Sequence, residues 1–241
     1  MAGKTTFVLI HGAWGGGWNY QRVAEALRAQ GHIVYAPSLT GCGERAHLLN
    51  GSINLSTHIE DVLNLFKYES IDGAVLAGHS YGGMVITGAA DRIPEKISAL
   101  VYLDAFLPEP GQSLWDINIP ANTARYLAMA GDHGGTVIPS PPATFWNLNA
   151  ADVPLYDKLT GPHPLPCFTE RLPLTGAHAS VKKKVYVWAS ELGRPSPFKP
   201  FYEKCKADPA WETHALACGH EVMMDLPEKT TEILLGAATP R

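Results

Sequence analysis

The chain has 241 residues, 46% hydrophobic and 17% charged, enough apolar sequence to bury one large core and too much for a disordered chain. Its 19 Lys and Arg against 23 Asp and Glu leave a net charge of −4 with no long run of one sign, which excludes a nucleic-acid footprint and a polybasic membrane patch. Cys42, Cys167, Cys205 and Cys218 lie scattered with no C-x-x-C pair, so neither a zinc spacing nor a disulfide framework is present.

The first apolar run starts at Phe7, too early for the apolar region of a signal peptide, and no stretch of about 18 uninterrupted apolar residues follows, so a soluble cytoplasmic protein is expected. Thr6–Ile10 reads as a buried strand. Asn19–Gln30 follows as a helix, with Val23, Ala24 and Leu27 on one face and Gly31 placed to stop it. A strand at His32–Ala36 leads into Gly41-Cys42-Gly43, too short to hold a nucleotide and expected to shape a crevice rim. The next helix is expected over Thr57–Tyr68, where Thr57 and Glu60 have capping-box spacing and Ile59, Val62, Leu63 and Phe66 make one face. Ala74–Ala77 is a third strand, Gly82–Arg92 a helix and Ser98–Leu103 a fourth strand. Alternation at this rhythm predicts a parallel sheet covered on both faces.

From residue 108 to 180 the texture changes. Prolines interrupt every periodic pattern while Trp115, Tyr126, Phe145, Trp146, Tyr156 and Phe168 supply aromatic mass that a polar linker would lack, so this stretch is expected to fold as a cap. Residues 1–107 and 181–241 then form the core. Lys182-Lys183-Lys184 reads as a solvated strand entrance to Lys184–Ala189; a helix near Phe198–Lys206, a strand at Trp211–Leu216 and a helix at Pro227–Gly236 complete the chain.

Gly78-His79-Ser80-Tyr81-Gly82 matches G-x-S-x-G between a strand and a helix, the context of a nucleophile elbow. Its glycines are needed where side chains would collide with the sharply turned backbone, and the helix that starts there aims free N–H groups at developing negative charge. Serine is a poor nucleophile at its ordinary pKa and needs a histidine base with an orienting acid. Of ten histidines His220 fits, because it follows the last strand. His79 is expected to point into the scaffold. For the acid, Asp104 ends a buried strand and is favoured over Glu191, which stands after the strand where the acid is usually found; the order Ser80, Asp104, His220 is that of an α/β-hydrolase. The N–H groups of Tyr81 and of Ala13, in the loop after the first strand, are the candidate oxyanion donors. Gly12, Trp14, Tyr81, Phe145 and Trp146 are candidate lining residues of the substrate pocket.

The strand into His11-Gly12-Ala13, the run Gly78-His79-Ser80-Tyr81-Gly82-Gly83-Met84, and Gly219-His220 before a Pro-Glu helix start resemble α/β-hydrolases of the plant methylesterase and hydroxynitrile lyase group and their bacterial esterase relatives. The resemblance implies the α/β-hydrolase fold, a mostly parallel doubly wound sheet with an inserted cap. It also implies a cofactor-free, metal-free serine hydrolase of small esters. Two departures stand out. The plant aspartate falls on Leu192 here, which leaves Asp104 or Glu191 to serve. The lyase branch uses a threonine at the Gly12 position with a lysine after the histidine, or an asparagine at the Gly12 position; Gly12 and Glu221 offer a departing cyanide no positive charge, which favours ester cleavage. Hydroxynitrile lyase chemistry and a hydrolase-fold ligand receptor are the alternative readings.

Overall fold

A computed structural model describes residues 3–239. The strands in chain order are β1 Thr6–Ile10, β2 Ile33–Tyr35, β3 Ala74–His79, β4 Ile97–Leu103, β5 Val137–Ile138, β6 His163–Pro164, β7 Lys183–Ala189 and β8 Trp211–Leu216. Six of them form one sheet in the order β2-β1-β3-β4-β7-β8, parallel throughout, and β5 and β6 pair antiparallel on their own. The central β3, Ala-Val-Leu-Ala-Gly-His, is buried at every position, as a parallel strand with both faces covered requires. The edge strand β8 is half-buried and carries Glu212, Thr213 and His214.

The helices are α1 Gln21–Ala29, α2 Leu55–Tyr68, α3 Gly82–Arg92, α4 Leu114–Ile117, α5 Pro120–Gly131, α6 Val153–Leu159, α7 Pro166–Thr169, α8 Lys199–Lys206, α9 Val222–Asp225 and α10 Pro227–Ala237. The connection β1-α1-β2 runs toward one edge of the sheet and β3-α3-β4 toward the other, so right-handed crossovers put α1 and α3 on opposite faces. There α1 packs with α10 and α2 packs with α3. No helix among the described residues is long and apolar enough to cross a membrane.

Three local expectations change. The second helix starts at Leu55, not Thr57, because Asn54 Oδ1 accepts the Thr57 N–H at 3.0 Å and makes Thr57 the third residue of the capping box; Glu60 instead pairs with Arg92 of α3. The helix expected from Asn19 opens with a 3-10 turn over Gly17–Tyr20, in which Asn19 Oδ1 accepts the Gly16 N–H. Of the three lysines only Lys182 precedes β7 and is exposed; Lys183 and Lys184 are its first residues and half-buried, since Lys183 pairs with Glu212 and Lys184 lies over the Trp211 ring.

Between β4 and β7 the chain builds α4 to α7 and the β5–β6 ladder. Trp14 pins this insertion to the core: its Nε1–H donates to Ile138 O at 2.9 Å, its carbonyl accepts the Gly161 N–H, and its ring packs among Tyr126, Trp146 and Phe168.

Candidate active site

Strand register assembles the site. The pairs Ile10 with Gly78, His79 with Leu103, Leu103 with Val187 and Ala189 with Leu216 line up the carboxyl ends of five parallel strands. Because the chain leaves β1 in one direction and β3 in the other, the crevice opens between these two strands. The loop after β1, with Ala13 and Trp14, and the turn after β3, with Ser80 and Tyr81, both reach it.

Ser80 has φ 52°, a left-handed conformation that costs a non-glycine residue roughly 1–3 kcal/mol and persists only where the surroundings over-determine it. They do so here: the Ser80 carbonyl accepts the N–H groups of Gly83 at 3.0 Å and Phe106 at 3.1 Å, while its own N–H donates to Leu103 O. A Cβ at Gly78 would lie 2.6 Å from Gly82 O, and one at Gly82 would lie 2.7 Å from Ile10 O, so the elbow closes only with glycine on both sides. The N–H groups of Ala13 and Tyr81 donate to no protein acceptor among the described residues.

Asp104 follows β4 directly and is also left-handed, with φ 43°. Its N–H donates to Val187 O, its Oδ1 accepts the Ala189 N–H at 3.1 Å, and its Oδ2 lies 2.6 Å from His220 Nδ1. His220 reaches it from the loop between β8 and α9. Its N–H donates to Trp146 O, its carbonyl pairs with His79 Nε2 at 2.9 Å, and its ring stacks on Phe198 with centroids 4.8 Å apart. Burial pushes the His220 imidazolium down to about 3, with the Arg194 charge adding to the effect, and the same burial pushes the Asp104 carboxyl up against the Ala189 hydrogen bond. The Nδ1 contact leaves the Nε2 lone pair of neutral His220 without a protein partner among the described residues. No hydrogen bond joins Ser80 Oγ to His220 among the described residues, a separation common before substrate is present. Glu191 is exposed on the loop after β7, and Leu192 is buried.

Ser80, Ala13, Tyr81, Trp14 and Trp146 share the wall of one pocket. Gly12 and Phe145 are not on that wall. Gly12 faces the elbow, where a Cβ would lie 2.7 Å from His79 Nδ1, and Phe145 stands edge-on behind Trp146 with the Arg194 guanidinium 3.7 Å from its centroid. The sequence reading misses Phe106, Tyr126, Phe168 and Phe198 on the wall, together with Asn118 and Asn122. Phe106, as the second residue after Asp104, and Phe198, at the start of the helix expected near Phe198–Lys206, had a usable signal; the others lie in the proline-broken stretch between β4 and β7.

Two buried groups of side chains have metal-ligand atom types: His58, His163 and Cys167, and His79, His220 and Glu221. In the first, His58 Nδ1 meets the Tyr81 hydroxyl at 2.9 Å and its Nε2 meets Thr40 O, so the pair wedges the Tyr81 ring in place. Burial pushes the Cys42 thiol up to about 12, which leaves it protonated and unreactive.

A profile of the alpha/beta hydrolase family matches residues 7–233. Among curated proteins, the carbendazim hydrolyzing esterase of Nocardioides sp. (strain SG-4G) is 43% identical over 237 residues, covering 95% of this chain and 97% of that protein. Salicylic acid-binding protein 2 of Nicotiana tabacum is 38% identical over 104 residues, 43% of this chain and 40% of its own. Among solved structures, an extracellular alpha/beta-hydrolase from a Paenibacillus species superposes with a TM-score of 0.85 at 24% identity, covering 97% of this chain and 98% of that one. With the family profile spanning nearly the whole chain and a relative of this identity matched end to end, the chain belongs to the alpha/beta hydrolase family.

Proposed function

We propose that this protein is a serine hydrolase that cleaves small carboxylic esters through an acyl-enzyme on Ser80. The observation that carries the reading is the His220–Asp104 contact of 2.6 Å, which fixes the base tautomer beside a serine held in a strained elbow on an enclosed pocket. Ser80 Oγ attacks the ester carbonyl carbon while His220 Nε2 takes its proton. The N–H groups of Ala13 and Tyr81 receive the oxyanion, helped by the amino end of α3. His220 then protonates the departing alcohol, activates a water against the acyl-enzyme and returns the proton to Ser80. Asp104 holds the imidazole orientation and balances the transient imidazolium. Every step uses side chains and backbone of this chain, and residues 108–180 act as the cap that keeps bulk water from the acyl-enzyme.

Ester cleavage is supported by the Nocardioides relative, whose name is that of an esterase, and by plant relatives named methylesterases. A relative named alpha-hydroxynitrile lyase is 30% identical over 136 residues, and the lyase reading is weakened by Gly12 and Glu221, which offer a departing cyanide no positive charge.

The test is release of p-nitrophenol from a short-chain p-nitrophenyl ester. Ser80→Ala is expected to lower kcat by about 10⁴ or more with an unchanged melting temperature, because the serine hydroxyl makes no structural hydrogen bond. Turnover that survives in Ser80→Ala overturns the reading.

A further inference from the structure

The pocket wall is mostly aromatic and aliphatic, and side-chain amides reach it at one place. Asn118, at the end of α4, and Asn122, in the first turn of α5, bring two side-chain amides to the same space that Ser80 reaches. Their orientation follows from the backbone. Asn118 Oδ1 accepts the Ile119 N–H at 2.9 Å, so the oxygen end of that amide is fixed; it also accepts from Asn122 Nδ2 at 3.2 Å, and turning Asn122 round would set two oxygens against each other. What remains is the Nδ2 of Asn118 and the Oδ1 of Asn122, neither with a protein partner among the described residues, although Asn122 is only 6% exposed. The Tyr126 hydroxyl on the same wall also has no protein partner, whereas that of Tyr81 is turned away onto His58. Both free amide atoms stay within reach of water, so a ligand that displaces that water must offer a matching acceptor and donor or leave the amides unmet.

We propose that Asn118 and Asn122 select the substrate: they form a reading edge of adjacent donor and acceptor, matched by a flat ring system that carries an acceptor beside an N–H, as a lactam does. This rests on the esterase reading for the reaction, but not for the recognition. The aromatic walls contributed by Trp14, Trp146, Phe168 and Phe198 stack on the ring faces, and the amides read the ring edge. A purely hydrocarbon ring of the same shape leaves both amides unmet, and the site rejects it for that reason.

Calorimetric binding of a hydroxyquinolinone, whose lactam presents C=O beside N–H, is compared with that of naphthol, its all-carbon counterpart, and the two acetate esters are assayed in parallel. The wild-type protein is expected to bind the lactam at least about tenfold more tightly than naphthol, the value of one net hydrogen bond or slightly more. Asn118→Asp keeps the oxygen that accepts from Ile119 and Asn122 but replaces the free donor with an acceptor, so it preserves the helix end and is expected to abolish the preference. Asn122→Leu, which removes the acceptor at similar volume, is expected to do the same, with melting temperatures checking that both variants fold. Equal affinity for the two compounds in wild type, or a preference untouched in both folded variants, overturns the proposal. Lactam preference without hydrolysis of either ester would overturn the esterase reading and leave this one standing; ester hydrolysis with no preference would do the reverse.

Discussion

Asp104 and Glu191 present the same carboxylate chemistry in opposite settings. Asp104 is wholly buried, held in a left-handed conformation and shared between the Ala189 N–H and His220, whereas Glu191 points outward from a loop whose carbonyl accepts from Asn147. Asp104→Asn is therefore expected to keep the shape of the site yet favour the wrong imidazole tautomer, lowering kcat by about 10⁴. Glu191→Gln is expected to leave kcat within about twofold, since an exposed carboxylate loses little when neutralised. Steady-state kinetics of the two variants decide the matter, and a loss confined to Glu191→Gln would move the acid to that residue. The turn that carries Ser80 and the loop that carries His220 were legible in the sequence because glycines flank one and the last strand precedes the other. Gly12 and Phe145 stand off the pocket wall, since which side of a loop faces a cavity depends on partners remote in sequence, here His79 and Arg194.

At the scale of elements, the end of the insertion is tied to α3 through one side chain. Asp91, in the last turn of α3, accepts the N–H groups of Thr175 at 2.6 Å, Gly176 at 3.0 Å and His178 at 3.2 Å, and meets His178 Nδ1 at 3.0 Å. Burial alone would raise its pKa, but these four hydrogen bonds outweigh burial and hold the carboxyl well below the usual carboxylate range. A depressed acid adds stability that is present above the unfolded pKa and is lost as pH falls through the folded one. Asp91→Asn is thus expected to cost about 1–3 kcal/mol at neutral pH. The deficit relative to wild type should shrink as pH falls below about 4. Urea melts of both proteins from pH 7 to pH 3 measure it, and a deficit constant across that range would refute the assignment. Repetitive α/β elements were readable because burial on both faces writes a continuous apolar run into each strand. The element before Asn118 was not, because α4 has only four residues and no period to detect, and α5, which carries Asn122, lies between proline-broken stretches that hid its twelve residues.

For the whole molecule, Glu221 is one of the buried groups that shape stability against pH. It is 4% exposed beside His220, with Asn19 Nδ2 donating to it at 3.2 Å and His79 Nδ1 3.9 Å away. Burial, reinforced by the Asp225 charge, pushes its carboxyl up to about 8. The sign is opposite to that of Asp91. Between the unfolded value near 4.5 and the folded value near 8, the unfolded chain ionises and the folded chain does not, so this group subtracts stability progressively as pH rises through that window. Glu221→Gln keeps an oxygen for Asn19 and removes the titration. Its melting temperature is expected to match wild type near pH 4.5 and to exceed it increasingly up to pH 8, followed by calorimetry; a gap independent of pH would refute it.

The sequence by itself determined the order of the sheet strands and the main helices between them, the glycine-framed turn at Ser80, the loop that carries His220, and the placement of an aspartate at a strand end, because each is a local pattern whose cause lies within a few residues: apolar runs, steric demand for glycine, strand termini. Tertiary structure alone decided the rest. It paired Asp104 with His220 across 116 positions, chose Trp146 over Phe145 for the pocket wall, and left two amides open among aromatic rings. Those outcomes depend on strand register and on how the insertion packs against the sheet, and no residue carries either in its own identity or in that of its neighbours along the chain.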